Sequence, residues 1–162
     1  MSAIAVVGYS GTGKSTSYGQ FPDLGIKGLD PKETAIVNVS GKDLPFKGWR
    51  NLYKGKLSEG GNYLETSSST AIAQAINYIS KDRLDIKSVI IDDAQFTMAF
   101  EFMKRAKETG YGKFSIIGSD MNTIMEAARG TRKDLNIYFL WHPEIDNLGN
   151  YKMKTVGKMI NC

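Results

Sequence analysis

Gly8-Tyr9-Ser10-Gly11-Thr12-Gly13-Lys14-Ser15 is the stretch on which the reading of this chain turns. It satisfies G-x-x-x-x-G-K-[ST] in full and follows a short apolar run, residues 3–8, that reads as a β-strand. The spelling has a physical cause. Glycines let the backbone curl so that consecutive N–H groups point inward at phosphate oxygens. A helix starting behind the loop would add its N-terminal partial positive charge. Lys14 is expected to reach the β- and γ-phosphates of ATP, and the Ser15 hydroxyl to ligate Mg²⁺. The nucleotide-binding set is Gly8, Ser10, Gly11, Thr12, Gly13, Lys14, Ser15 and Thr16.

Outward from the loop, apolar runs alternate with helical periodicity, which predicts an α/β fold with a mostly parallel sheet flanked by helices. Strands are expected over 3–8, 34–39, 62–65, 88–92 and 136–141. The fourth and fifth carry the continuous runs Val89-Ile90-Ile91 and Ile137-Tyr138-Phe139-Leu140-Trp141, as strands covered on both faces do. Helices are expected over 70–81, 95–107 and 120–133, from the spacing of residues such as Ile72, Ile76 and Ile79. Residues 43–61 read as a long surface loop and 109–118 as a second loop. Residues 145–155, around Asn147-Leu148-Gly149-Asn150, read as a C-terminal β-hairpin.

With 162 residues, 41% of them hydrophobic, the chain fits one domain with one core. It contains no apolar run of about 18 residues to span a membrane, and the apolar opening at 3–7 is too short and lacks the basic leader of a signal peptide. The single cysteine, Cys162, excludes an intrachain disulfide and a zinc cluster and fits a reducing cytoplasm. The single histidine, His142, excludes a multi-histidine metal site. A net charge of +4 suits phosphates and nucleic acid alike.

A phosphate loop of this kind needs an acid across the sheet to hold the metal through water. Val89-Ile90-Ile91-Asp92-Asp93 supplies one at the carboxyl end of a strand, where α/β sheets bind ligands. Asp92 is assigned to the Mg²⁺ shell. Asp93 has two readings: it orients the attacking water, or it caps the helix starting near Gln95. The next strand ends in Leu140-Trp141-His142-Pro143-Glu144, so His142 is either a γ-phosphate sensor or a structural residue.

The motif Gly8–Ser15, the run Ile36-Val37-Asn38-Val39 leading into Gly41-Lys42-Asp43-Leu44-Pro45-Phe46, and the ending Trp141-His142-Pro143-Glu144 together resemble phage-encoded RecA-like P-loop ATPases. Some of these are associated with single-strand annealing and recombination. The resemblance implies a core whose sensor strand lies between the loop strand and the Asp92 strand. It also implies Mg²⁺-dependent ATP hydrolysis in a host cytoplasm, with single-stranded DNA as partner. Two departures stand out. RecA-like recombinases carry a glutamate on the strand after the loop helix, whereas Asn38-Val39-Ser40-Gly41 has no acid; their sensor glutamine is replaced by His142. Relatives are further expected to continue beyond Gly157-Lys158, so the chain reads as a shortened or minimal member.

Basic and aromatic residues interleave in Phe46-Lys47-Gly48-Trp49-Arg50-Asn51-Leu52-Tyr53-Lys54, which would suit a nucleic-acid strand or a solvated loop with two aromatics anchored on the core. No cation besides Lys14 is expected near the motifs of one protomer. Lys152-Met153-Lys154 has the spacing of the lysine pair that recombinases present in trans within an oligomer; protection of an edge strand is the other reading. A small-molecule or nucleotide kinase is the alternative enzyme, with Arg129, Arg132 and Lys133 as lid candidates. A nucleotide-dependent binding module with little turnover is the third. No Asn-Lys-x-Asp segment marks a GTPase.

Overall fold

A computed structural model describes residues 2–156; Met1 and residues 157–162, with Gly157, Lys158 and Cys162 and the expectations attached to them, lie outside the described residues. The chain is α/β. Five strands, β1 (Ser2–Val7), β2 (Thr34–Asn38), β3 (Tyr63–Glu65), β4 (Ser88–Asp92) and β5 (Asn136–Trp141), form an all-parallel sheet in the order β1-β5-β4-β2-β3. Each lies within a residue or so of its expected bounds. β5 separates β1 from β4, the order implied by the resemblance. Because all five run the same way, their carboxyl ends share one edge of the sheet. Whatever follows β1, β2, β4 and β5 therefore meets there.

β2 and β4 are buried from end to end. Sequestering Val89, Ile90 and Ile91 stabilises the fold by about 1.5–3 kcal/mol per side chain, which explains why their run is uninterrupted by polar residues. One sheet face is covered by three helices, α2 (Ser69–Asp82), α3 (Phe96–Lys104) and α4 (Gly112–Arg129), which pack Ile72, Ile76, Met98, Met121 and Ile124 against Val37, Ile91 and Phe139. Ser68 caps α2 by accepting the Ala71 N–H at 3.4 Å. α4 starts eight residues before its expected start at 120. Gly112, Ser115, Gly118 and Ser119 are poor helix formers, but fully buried Ile117 extends the stripe Met121, Ile124, Ala128 one turn back.

The opposite face is covered differently. No α-helix follows the loop after β1: residues 14–18 make a single turn, closed by Ser17 N–H donating to the Gly13 carbonyl at 2.8 Å. Gly19 and Pro22 stop it. That face carries Tyr18 instead, together with Leu44, Phe46 and Tyr53 on Ile36, Ile90 and Leu140. Segment 43–61 keeps most of its residues exposed, as a surface loop does, but anchors Leu44, Phe46, Tyr53 and Leu57 in the interior. It contains the short helix α1 (Trp49–Leu52) and sends two aromatics into the core in edge-on contacts, Tyr18–Phe46 at 5.7 Å and Phe46–Tyr53 at 6.3 Å.

The hairpin is present, with arms β6 (Pro143–Ile145) and β7 (Tyr151–Met153) beginning directly after β5. Its turn is tied by Asp146, which accepts the N–H groups of Leu148 and Asn150 at 2.9 Å each. No helix among the described residues is long and apolar enough to cross a membrane.

Candidate functional site

The loop after β1 has the shape its sequence calls for. Gly11 and Gly13 hold φ values of 79° and 87°, conformations that cost other residues steric energy. Lys14 curls back under the loop and donates from Nζ to the Gly8 carbonyl at 2.7 Å and the Tyr9 carbonyl at 2.9 Å. Thr12 Oγ1 donates to the Tyr9 carbonyl at 2.8 Å, so its side chain braces the loop. Burial pushes the Lys14 ammonium below its ordinary pKa, and the charges of Asp93 and Asp92 pull it back up.

Across the sheet edge, Ser15 Oγ donates to Asp92 Oδ1 at 2.8 Å, a contact between residues 77 positions apart. Tyr18, which no sequence motif marks, donates its hydroxyl to Asp92 Oδ2 at 3.2 Å and is pushed up in pKa by burial and then by the Asp92 charge. Asp92 is 5% exposed, and its partners are hydroxyls rather than a cation. Burial raises its pKa above the ordinary carboxylate value; the Ser15 hydrogen bond lowers it, the Asp93 charge raises it, and Tyr18 and Lys14 lower it again.

A buried carboxylate beside a hydroxyl and a lysine fits Mg²⁺ that keeps most of its shell as water and phosphate oxygen. Ser15 would ligate directly and Asp92 through water. Among the described residues there is no group of three or more His, Cys, Asp or Glu side chains that could cage a metal by themselves.

The raised pKa has a consequence for stability. The folded form holds the Asp92 proton more tightly than the unfolded chain does, so ionising this group costs stability. The cost is absent at acid pH, grows as pH rises through the ordinary carboxylate value and is complete above the raised one. Asp92→Asn is therefore expected to raise Tm by a few degrees at neutral pH without nucleotide. The gain should disappear at pH 3. A variant less stable than the wild type at both pH values would show that ionised Asp92 is not a burden.

The geometry of Asp93 speaks against the capping reading. It is the one non-glycine residue among those described with positive φ, at 59°, which turns its side chain out of the line of β4. Its Oδ1 lies 3.1 Å from His142 Nε2, so its carboxylate faces the end of β5. It does not cap α3, whose N-cap residue is Gln95 with no side-chain cap bond. Gln95, 6% exposed, instead accepts the His142 N–H at 3.4 Å. His142 also meets the Phe96 ring edge-on at 6.3 Å. On its other side the hairpin is tied to it: Lys154 N–H donates to the His142 carbonyl at 2.8 Å, and Trp141 Nε1 donates to the Lys154 carbonyl at 2.6 Å.

These groups surround one polar cleft of about 340 Å³, lined by Ser10, Gly11, Gly13, Lys14, Ser15 and Thr16 on the loop side. Asp43, Asp92, Asp93 and His142 line the other side, so the candidates read from the sequence converge there except Gly8 and Thr12, which do not line it. A larger apolar hollow of about 610 Å³ lies beyond the loop, against Gly8, Thr12, Pro143 and Tyr151, and shares Gly13 and Lys14 with the cleft. The acids line only the polar cleft.

The structure also places four groups of residues that the sequence reading singled out or missed. Lys42, from the turn after β2, also lines the cleft, so Lys14 is not the only cation near the motifs of one chain. Lys152 pairs with Glu144 across the hairpin at 3.2 Å, and Lys154 lies one residue past β7. Arg129 and Arg132 precede β5 and so sit near the amino edge of the sheet, away from the cleft. There Arg129 pairs with Glu126 at 2.8 Å, while Arg132 donates to the carbonyls of Ile79, Ser80 and Ile86, which makes it a tie between segments and no lid. Phe46 and Tyr53 are buried, which removes them as platforms for stacking bases. Compared with known proteins, the chain matches no family model and no curated sequence.

Proposed function

We propose that this chain is a RecA-like P-loop ATPase that binds ATP with Mg²⁺ in the polar cleft and hydrolyses it. The observation that carries the reading is the 2.8 Å bond from Ser15 Oγ to Asp92 Oδ1, which joins the loop to a buried acid on a non-adjacent strand. A glycine turn with no phosphate to hold has no need of such a partner. Mg²⁺, when bound, supplies charge neutralisation at the β- and γ-phosphates.

The loop N–H groups and Lys14 grip the phosphates. Ser15 and Asp92 position the metal. Asp93 orients the attacking water and accepts its proton, and His142 holds the Asp93 carboxylate in place through Nε2. Asp43 also lines the cleft but is paired with Arg50, and Glu65, opposite Asn38 on β3, does not line it, which leaves Asp93 for this task.

Single-stranded DNA as partner, and an oligomer in which Lys152 and Lys154 act in trans, are carried by the family resemblance alone. ATP turnover measured with and without single-stranded DNA tests the first. The product separates the enzyme classes: free phosphate means an ATPase, a phosphorylated acceptor a kinase. Absence of turnover with tight ATP binding would leave a nucleotide-dependent binding module.

His142 links the cleft to the hairpin through its carbonyl. His142→Ala is accordingly expected to keep ATP affinity within about twofold, since it contacts no group that binds the β-phosphate, while losing stimulation by DNA. DNA stimulation unchanged in the variant returns His142 to a structural role.

A further inference from the structure

We propose that Lys42 is a second cation of the phosphate site, supplied by the same chain, which engages the terminal phosphate and distinguishes ATP from ADP. The inference rests on the nucleotide-binding reading above and adds a residue outside the phosphate loop and the acidic strand.

Its place follows from topology. β2 lies beside β4 in the sheet, so the turn leaving β2 emerges at the carboxyl edge next to Asp92 and Asp93. Lys42 lines the cleft together with Lys14, Asp93 and His142. The turn is held by Asn38, which is 1% exposed and stands where recombinases of this kind have an acid. Asn38 Nδ2 donates to the Lys42 carbonyl at 2.7 Å and to Tyr63 Oη at 2.8 Å. Asn38 Oδ1 accepts the Gly41 N–H at 3.0 Å. Gly41 takes φ of 69°, and a Cβ there would meet Glu65 Oε1 at 3.1 Å. The backbone of Lys42 is therefore fixed by a buried side chain while its own side chain is exposed and can swing.

The ammonium has no carboxylate within ion-pair distance among the described residues. It rests 5.3 Å from the centroid of Phe96, the ring that meets His142 edge-on. The adjacent acid, Asp43, is occupied by Arg50. Phe96 is half-buried, and a cation resting on the face of such a ring is weakly held. A charge-assisted bond to phosphate is the stronger partner, so a terminal phosphate between Lys14 and Asp93 would draw Lys42 from Phe96. Lys152, by contrast, is already paired with Glu144 and would need a neighbouring subunit.

The test is calorimetric titration of Mg²⁺ with a non-hydrolysable ATP analogue, and separately with ADP, into wild type, Lys42→Ala, Lys42→Arg and Lys14→Ala. Lys42 is exposed, so the variants are expected to fold. Lys42→Ala should lose about 10- to 100-fold in affinity for the ATP analogue, as for removal of a charged hydrogen bond, and keep its affinity for ADP. Lys42→Arg should recover most of the loss. An unchanged ratio of the two affinities in Lys42→Ala, or an equal loss for both nucleotides, overturns the assignment of Lys42 while leaving the site itself standing. Wild-type affinities in Lys14→Ala, or no binding by the wild type, overturn the nucleotide site and Lys42 with it.

Discussion

Asp93→Asn is expected to reduce ATP turnover by about 10²- to 10⁴-fold, the range for loss of a general base, with little change in ATP or Mg²⁺ affinity. The substitution is chosen for the backbone as much as for the charge. Asp93 sits at φ 59°, a left-handed conformation that asparagine adopts readily and alanine does not. Asparagine can also keep a hydrogen bond to His142 Nε2, whose distance from Asp93 Oδ1 is 3.1 Å in the native chain. What the variant lacks is the capacity to accept a proton from water. A single-turnover measurement separates the step of interest from product release. Turnover at the wild-type rate would mean that the water is activated elsewhere and that Asp93 serves to hold His142. Replacement by alanine would confuse these outcomes, because it removes the hydrogen bond and strains the strand end together.

Lys14→Ala should weaken ATP binding by about 2 kcal/mol or more, roughly thirtyfold, as for a lost charge-assisted contact to phosphate. The structure adds a second consequence. Lys14 Nζ donates to the Gly8 and Tyr9 carbonyls, so it braces the loop. Its loss should loosen residues 8–13 and raise their amide exchange, while the strands behind them keep their protection. Global unfolding is not expected, because the freed carbonyls lie on a loop that water can reach. Full ATP affinity in a folded Lys14→Ala protein would remove the phosphate-loop assignment.

The parallel sheet and the two motifs were legible in the sequence because their signals are local. Val89-Ile90-Ile91 can be continuous only if both faces of the strand are covered, and Gly8–Ser15 needs its glycines within one turn of chain. Asp92, Asp93 and His142 could be placed at strand ends for the same reason. What lay beyond the sequence depends on strand order and on what covers each face. The helix expected after the loop is one turn, ended by Gly19 and Pro22, and Tyr18 drops beneath the sheet edge to reach Asp92. Segment 43–61 reads as solvated from its Gly and Lys content, yet without that helix the sheet face stays open. Phe46 and Tyr53 fill it. Whether Asp93 caps a helix or faces His142 turns on a single φ angle, which composition does not encode. The place of Lys42 in the cleft depends on β2 lying beside β4 and on buried Asn38 gripping the turn that follows β2. Patterns of burial are written along the chain, whereas the meeting of residues from β2, β4 and β5 is set by which strands pair, and pairing is decided only when the sheet assembles.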